Sequence, residues 1–530
     1  MRGSGSHGER RGAAAIVVLW LLTTLLWLTP GLTRPDGVGY FVYLPSTWLD
    51  RDLLFFDEWA KVGLIRDGQI LFKDVTPTGH LSNHWTAGAS LAWYPAFIAG
   101  DLFARTIGEA RDGFSPPYVT AIVFTSALAG LFVLLAGFTI ARRLYGDGAA
   151  AAASMAVWLG SPLAFYALRH ASMSHAISAA ACAAVVLLSL RLRERADTPA
   201  LFACGLAIGF ACAVRPQNVT IALVPFLIAG WPPLRRLWLL LAGALLAALP
   251  QLIVSQTLWG APLAFVNIGG HAHPWQMFTT FRPFETLFSW YHGLVTWTPL
   301  LAVSLAGFAL LWHDDRRLAR AAIVTFAAQW LVLSVLERWF WGGASFGQRR
   351  FDSCTLFFLL GLAAVLRRLP RWLGTLVTVA ATSWTLLLFI AATNLNLNRY
   401  QTPRELLDAF RRATPTWRTF LGFAPPQIHG EMLLTMIVVA ILGALLALVM
   451  RRHALAVAAT YFVVMSAFYA WCGLHPKHDA LSRALIAHPP ASGSARDTAT
   501  LLRYEADYMQ RTGRPAQAEE ALREAAAIGP

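Results

Sequence analysis

Uninterrupted apolar runs of bilayer length recur along the whole chain, and they restrict its fold more than any other feature. A helix that crosses the hydrocarbon core needs about 20 apolar residues, within a range of roughly 17–25. Runs of this kind, a few of them shorter, occur at 13–31, 87–106, 117–140, 148–167, 174–191, 199–213, 217–232, 237–258, 294–312, 318–336, 353–366, 372–393, 431–450 and 454–472. In lipid only helices and closed barrels satisfy their own backbone polar groups. These runs are continuous and do not alternate, which predicts helices. The residue balance agrees: 56% hydrophobic and 14% charged, against about 45–50% and about 25% for soluble domains. A soluble globular chain is excluded.

The formal charge of +14 is carried by arginine. It is placed where membrane topology asks for it, in short loops at Arg142-Arg143, Arg191–Arg195, Arg235-Arg236, Arg316–Arg320, Arg367–Arg371 and Arg451-Arg452. The positive-inside rule reads these loops as cytoplasmic, and no nucleic-acid partner is implied. The loops between them then read as periplasmic. Three full crossings before Arg142 would break this alternation, so the run 87–106, interrupted by Pro95 and Asp101, is expected not to cross. About thirteen crossings follow, in a bacterial inner-membrane, multi-pass protein. Residues 1–12 form a cytoplasmic basic tail and 13–472 the transmembrane domain, with 33–86 as its first periplasmic loop. Residues 473–530 form a periplasmic tail ending in a tetratricopeptide-like helical hairpin. One such hairpin reads as an amphipathic cap or a docking point for a protein partner. The five cysteines lie in apolar stretches with neither metal nor disulfide spacing.

The first long loop, 33–86, concentrates acids: Asp36, Asp50, Asp52, Asp57, Glu58, Asp67 and Asp74. Its aromatic stretches Gly39–Leu49 and Leu53–Ile65 are expected to lie as helices in the membrane interface. Asp36, a few residues past the first span, reads either as a base for a lipid-delivered substrate or as a turn acid before Gly37. Asp57-Glu58 reads as a second acid pair or as a solvated face. A basic group stands on the same side: Arg169, His170 and His175 in YALRHASMSH, Arg215 in AVRPQN, and Arg349-Arg350 in FWGGASFGQRRF. Arginine suits bidentate phosphate binding; the alternative is snorkelling to lipid headgroups. The periplasmic histidines, including the pair His271 and His273, show no metal-ligand pattern, so no metal site and no cofactor are expected.

These residues carry a resemblance. The blocks DGVGYFVYLPS (36–46), NHWTAGASLAWYPAF (83–97), LRHASMSH (168–175), HGLVTWTP (292–299) and FWGGASFGQRRF (340–351) make residues 13–400 similar to the GT-C membrane glycosyltransferases. The branch resembled is the protein O-mannosyltransferase and aminoarabinose-transferase-like one. The resemblance implies an all-α polytopic GT-C-like fold. It also implies transfer of a sugar from a polyprenyl-phosphate-linked donor to an envelope acceptor, which is a lipid, a glycan or a protein. Asp36 would be the catalytic base, with Asp57 and Glu58 as further acids. Arg169, His175, Arg215, Arg349 and Arg350 would hold the donor phosphate, and Tyr40, Asn83 and His84 would line the substrate site. Two blocks depart from the family: Asn83-His84-Trp85-Thr86 replaces a His-Pro-Pro-Leu block, and Ser174-His175 stands where many members carry an acid.

Two other functions compete. A lipid or polysaccharide transporter or flippase would show inverted repeats and charged mid-membrane helices, which this sequence lacks. A non-catalytic envelope assembly protein would act through the C-terminal hairpin.

Overall fold

The computed structural model describes residues 5–55, 76–264, 281–336, 345–413, 430–474 and 515–528, apart from 34, 79, 81, 82, 396 and 398. Between these stretches it describes single positions at 58, 59, 62, 416, 499, 502, 503, 506 and 510. All regular structure among the described residues is helical. The main elements are α1 (Gly5–Trp27), α2 (Asp36–Phe41), α3 (Gly88–Ile107), α4 (Pro116–Tyr145), α5 (Asp147–Gly160), α6 (His175–Glu194), α7 (Thr198–Val214), α8 (Leu237–Trp259), α9 (Leu300–Asp314), α10 (Arg316–Leu336), α11 (Thr355–Arg368), α12 (Arg371–Asn394), α13 (Gly430–Leu474) and α14 (Pro515–Ile528).

Local chemistry sets the boundaries. Helix α4 starts behind the extended Ser115 with prolines in its first turn and stops at Gly146, φ +83°, the proline-first, glycine-last asymmetry of helix ends. Helix α7 starts at Asp197, whose carboxylate accepts from the Ala200 amide at 2.8 Å. Helix α5 breaks at Ser161-Pro162, and the chain turns through 61° into Pro162–Arg169. That bend delivers Arg169 and His170 to the end of the bundle.

Among the described residues six helices, α4, α6, α8, α10, α12 and α13, are long and apolar enough to cross a membrane, or seven if the bent pair counts as one span. The chain is a multi-pass membrane protein. Helix α13 spans 45 residues but is non-helical at His453. It therefore divides into arms 430–452 and 454–474, matching the two adjacent runs read in the sequence. The runs beginning at 13, 199, 217 and 294 fall on shorter apolar helices, Arg11–Trp27, Thr198–Val214, Pro216–Ile228 and Pro299–Asp314. The run 87–106 forms an unbroken helix despite Pro95. Its Asp101 is fully buried and saturated, accepting from Arg105 (2.6 Å), Tyr118 Oη (2.7 Å), Trp48 Nε1 (3.0 Å) and Arg111 (3.0 Å).

The arginine-rich loops meet at one end of the bundle. Arg142 pairs with Asp147 at 3.0 Å, Arg193 with Asp315 at 2.6 Å and Arg368 with Asp314 at 2.8 Å. At the opposite ends of α6 and α11 stand His175 and Asp352, which pair with each other. The arginine-rich loops and the His175–Asp352 pair thus stand at opposite ends of these helices.

Residues 36–55 pack into the bundle. Val38, Phe41, Val42, Tyr43, Leu44 and Phe55 are buried in the main core. Tyr43 Oη donates to the Trp85 carbonyl at 2.7 Å, and Thr47 and Tyr94 hydroxyls bond at 2.8 Å. The polar side chains of this stretch are folded in with the apolar ones, the Ser46 hydroxyl donating to Asp52 Oδ1 at 3.1 Å. Near the C-terminus, Leu502 and Ala506 pack with Ala518, Ala521 and Ala525 of α14 in a small core of their own.

Candidate active site

Asp36 is the first residue of α2, and its helix reaches the bundle end because the next residues are small. A Cβ on Gly37 would collide with Ser172 Oγ, and one on Gly39 with the Trp85 ring. The DGVG block therefore encodes a close approach between this helix, the 170–174 turn and the segment before α3. The Thr33 amide donates to Ser172 Oγ at 2.8 Å and completes the junction.

The Asp36 carboxylate accepts from Arg349 Nη2 at 2.9 Å, across 313 residues of sequence. The Arg349 side chain is 11% exposed and that of Asp36 28%. Arg349 also donates to Met173 Sδ at 3.6 Å and lies 6.0 Å from the centre of the Tyr166 ring. Burial works against its charge, but Asp36, Tyr166 and Tyr40 more than offset this and raise its pKa. The turn bearing Arg349 is clamped from behind. The Phe346 amide donates to Tyr166 Oη at 2.7 Å, Phe346 stacks on Phe165 with ring centres 4.5 Å apart, and Gly347 adopts φ +59°.

Two histidines close to this pair are held neutral. His170 packs on Phe165 (4.6 Å), and its Nδ1 is buried with no hydrogen-bond partner among the described residues. Burial, then Arg349 and Arg169, push its pKa down to about 3 against the opposing pull of Asp36. His292, from the HGLVTWTP block, is fully buried at φ +60° against Trp297. Burial and Arg349 bring its pKa to about 3 as well.

A second polar cluster lies behind the Arg349 turn. His175 Nδ1 is 3.1 Å from Asp352 Oδ2, and its ring lies 4.4 Å from that of Tyr166. Arg215 Nε is 3.5 Å from the same carboxylate oxygen, and Arg215 Nη1 lies 3.1–3.2 Å from the His175 ring nitrogens. Arg215 also donates to Ser174 Oγ at 3.3 Å. With the Gln217 amide oxygen turned toward it, Arg215 gains bonds of 2.7 and 2.5 Å from Nε and Nη2. A recess lined by Tyr166, His175, Gln348, Arg349 and Asp352 joins this cluster to the Arg349 turn.

The expected site residues therefore separate. Asp36 and Arg349 meet, with Tyr40 close by. His175 and Arg215 form the second cluster. Arg169 donates to the carbonyls of Trp27 (3.3 Å) and Thr393 (3.4 Å), stapling the ends of α1 and α12. The Arg350 carbonyl accepts from Gln329 Nε2 at 3.1 Å. Asn83 is committed at both ends of its amide, donating to the Gly39 carbonyl at 3.0 Å and accepting from the Trp85 amide at 3.1 Å. His84 sits between the Trp85 and Trp259 rings. Glu58 is fully buried, which corrects its reading as a solvated face. Asp57, like His271 and His273, lies outside the described residues. Asp352 and Tyr166 were not singled out from sequence. Asp352 carried a usable signal, since an acid at the mouth of an apolar run is rare and marks function. No group of three or more His, Cys, Asp or Glu side chains among the described residues has the geometry of a metal site.

No family model matches the chain, and no curated protein matches it. Solved structures do. One is ArnT from Cupriavidus metallidurans bound to undecaprenyl phosphate, at 18% identity and a TM-score of 0.44, covering 90% of this chain and 79% of that one. Its apo state gives 17% identity and a TM-score of 0.44, covering 90% and 78%. The apo Archaeoglobus fulgidus oligosaccharyltransferase gives 13% identity and a TM-score of 0.41, covering 94% of this chain and 60% of that one. The chain is similar to these proteins at low identity.

Proposed function

We propose that the chain is a membrane glycosyltransferase that moves a sugar from a polyprenyl-phosphate-linked donor to an envelope acceptor on the periplasmic face of a bacterial inner membrane. The observation that carries this reading is the Asp36–Arg349 pair, a partly exposed carboxylate held by a buried guanidinium. It sits at the end of the bundle away from the arginine-rich loops. A base and a phosphate-binding cation in contact are the two groups that transfer from a sugar phosphate needs.

The reaction is a displacement at the anomeric carbon. Asp36 takes the proton of the acceptor hydroxyl, whose oxygen forms the new glycosidic bond. The bond between the anomeric carbon and the phosphate oxygen breaks, its electron pair stays on that oxygen, and the configuration inverts. Arg349 bonds the departing phosphate, each charge-assisted bond being worth about 1.5–3 kcal/mol. The ion pair couples the two roles. An arriving phosphate competes with Asp36 for Arg349, so donor binding frees the carboxylate that must accept the proton. Tyr40 and the unpartnered Nδ1 of neutral His170 supply hydrogen-bonding capacity beside this pair without adding charge. In this reading Arg169 and Arg215 hold the scaffold, and the phosphate falls to Arg349 with Arg350 beside it. The tail from 473 is a separate periplasmic element.

Binding tests the reading. Purified protein in nanodiscs should bind undecaprenyl phosphate, and Arg349→Ala should weaken that binding by about tenfold or more. Unchanged affinity in the variant would return Arg349 to a structural role.

A further inference from the structure

Asp352 is the one carboxylate of the second cluster, and it lies three residues beyond Arg349 on the 3-10 turn Arg349–Cys354. Its side chain is 5% exposed and that of His175 3%. The carboxylate touches helices that the turn does not belong to: His175 opens α6, and Arg215 caps the end of α7. The Ser353 amide donates back to Asp352 Oδ1 at 2.9 Å. A neutral imidazole with its proton on Nδ1 donates to Asp352 and offers Nε2 to Arg215. Removing Asp352 would leave a buried arginine without its counter-charge, whereas apolar packing would join the same helices at no electrostatic cost. Keeping an ionised group here fixes the direction of the turn.

We propose that Asp352 is a positioning residue for phosphate binding: by clasping His175 and Arg215 it holds the turn that aims Arg349 at Asp36 and at the incoming donor phosphate. The assignment rests on Arg349 being the phosphate-binding residue. The charged and titratable groups facing Asp352 are Arg215, His175, Arg349, Cys182 and Cys354. Burial raises the Asp352 pKa to about 6, with Arg215 and the Ser178 hydroxyl pulling the other way. The clasp therefore weakens as the pH falls through about 6.

The test uses the methyl ester of undecaprenyl phosphate, a phosphodiester that does not titrate between pH 5 and 7.5. Its affinity is measured in nanodiscs across that range for wild type, Asp352→Asn and Arg349→Ala. The wild type should lose about tenfold in affinity on going from pH 7.5 to 5. Asp352→Asn should be about tenfold weaker at pH 7.5 and flat with pH. Should Asp352→Asn wild-type affinity and profile coincide while Arg349→Ala loses binding, the positioning role is overturned and the phosphate reading stands. Undiminished binding by Arg349→Ala overturns the phosphate reading itself. If Asp352→Asn does not yield monodisperse protein, the wild-type profile decides: a decline supports the clasp, and a flat profile overturns it.

Discussion

Replacing Asp36 by Asn leaves α2 nearly isosteric but strands Arg349. Two unit charges about 4 Å apart at an effective dielectric of about 20 attract by about 4 kcal/mol. Water reaches the Asp36 side chain, 28% exposed, far more than that of Arg349, 11% exposed. Screening from the Asp36 side should bring the net coupling to about 1–2 kcal/mol. The same asymmetry sets the single-variant costs. Asp36→Asn leaves a buried cation without its carboxylate and should cost about 2 kcal/mol. Arg349→Gln leaves an acid that water can solvate and should cost less. The double variant should therefore be no less stable than Asp36→Asn alone. The assay is a double-mutant cycle on the apparent unfolding free energy in mixed micelles, with transfer activity measured in parallel. Activity should not follow stability: Asp36→Asn should lose about 10²–10⁴-fold in rate, and the double variant should not recover it. Single effects that add within about 0.5 kcal/mol would refute the ion-pair reasoning.

Other consequences follow from particular contacts. Burial costs the ionised Asp352 carboxylate more than its partners return, so folding is favoured by its protonation: that contribution is complete below about pH 4 and is lost as the pH rises through about 6, over the same window in which the charged clasp that orients the turn forms. Wild type should thus lose about 3 kcal/mol relative to Asp352→Asn between pH 4 and 7, read as a narrowing thermal-stability gap or a reversal of it. Gly37→Ala drives a methyl group against Ser172 Oγ and should cost about 1–3 kcal/mol, partly restored by adding Ser172→Ala; an unchanged melting temperature for the single variant would contradict the close approach. A cysteine introduced by Glu520→Cys should react with an impermeant thiol reagent on intact spheroplasts, as a periplasmic tail requires. Reaction only after lysis would reverse the topology.

The helices were legible because their apolar runs are set by bilayer thickness, which acts on sequence directly. Asp36 and Arg349 could each be singled out by chemistry and position. Their contact could not, because 313 residues separate them and one sequence carries no distance information. The arginines could not be told apart for a related reason. Arg169 and Arg215 stand at helix ends on the same side as Arg349, and only coordinates reveal that their donors go to the carbonyls of Trp27 and Thr393, or to Asp352, His175 and Ser174. Asp352 escaped notice because QRRFDSC draws the eye to the arginine pair. The burial of Val38, Phe41, Val42, Tyr43, Leu44 and Phe55 was not legible in composition, because aromatic residues suit a membrane interface and a packed core equally well.

The central claim is that this chain consumes a lipid-linked sugar through Asp36. Mass spectrometry of lipid-linked sugars and envelope glycans decides it, comparing cells that carry the wild-type gene, no gene, or Asp36→Asn expressed to the same level. The account predicts that one polyprenyl-phosphate-linked sugar accumulates, and one envelope glycosylation disappears, both without the gene and in Asp36→Asn. Identical pools in all three strains would contradict it.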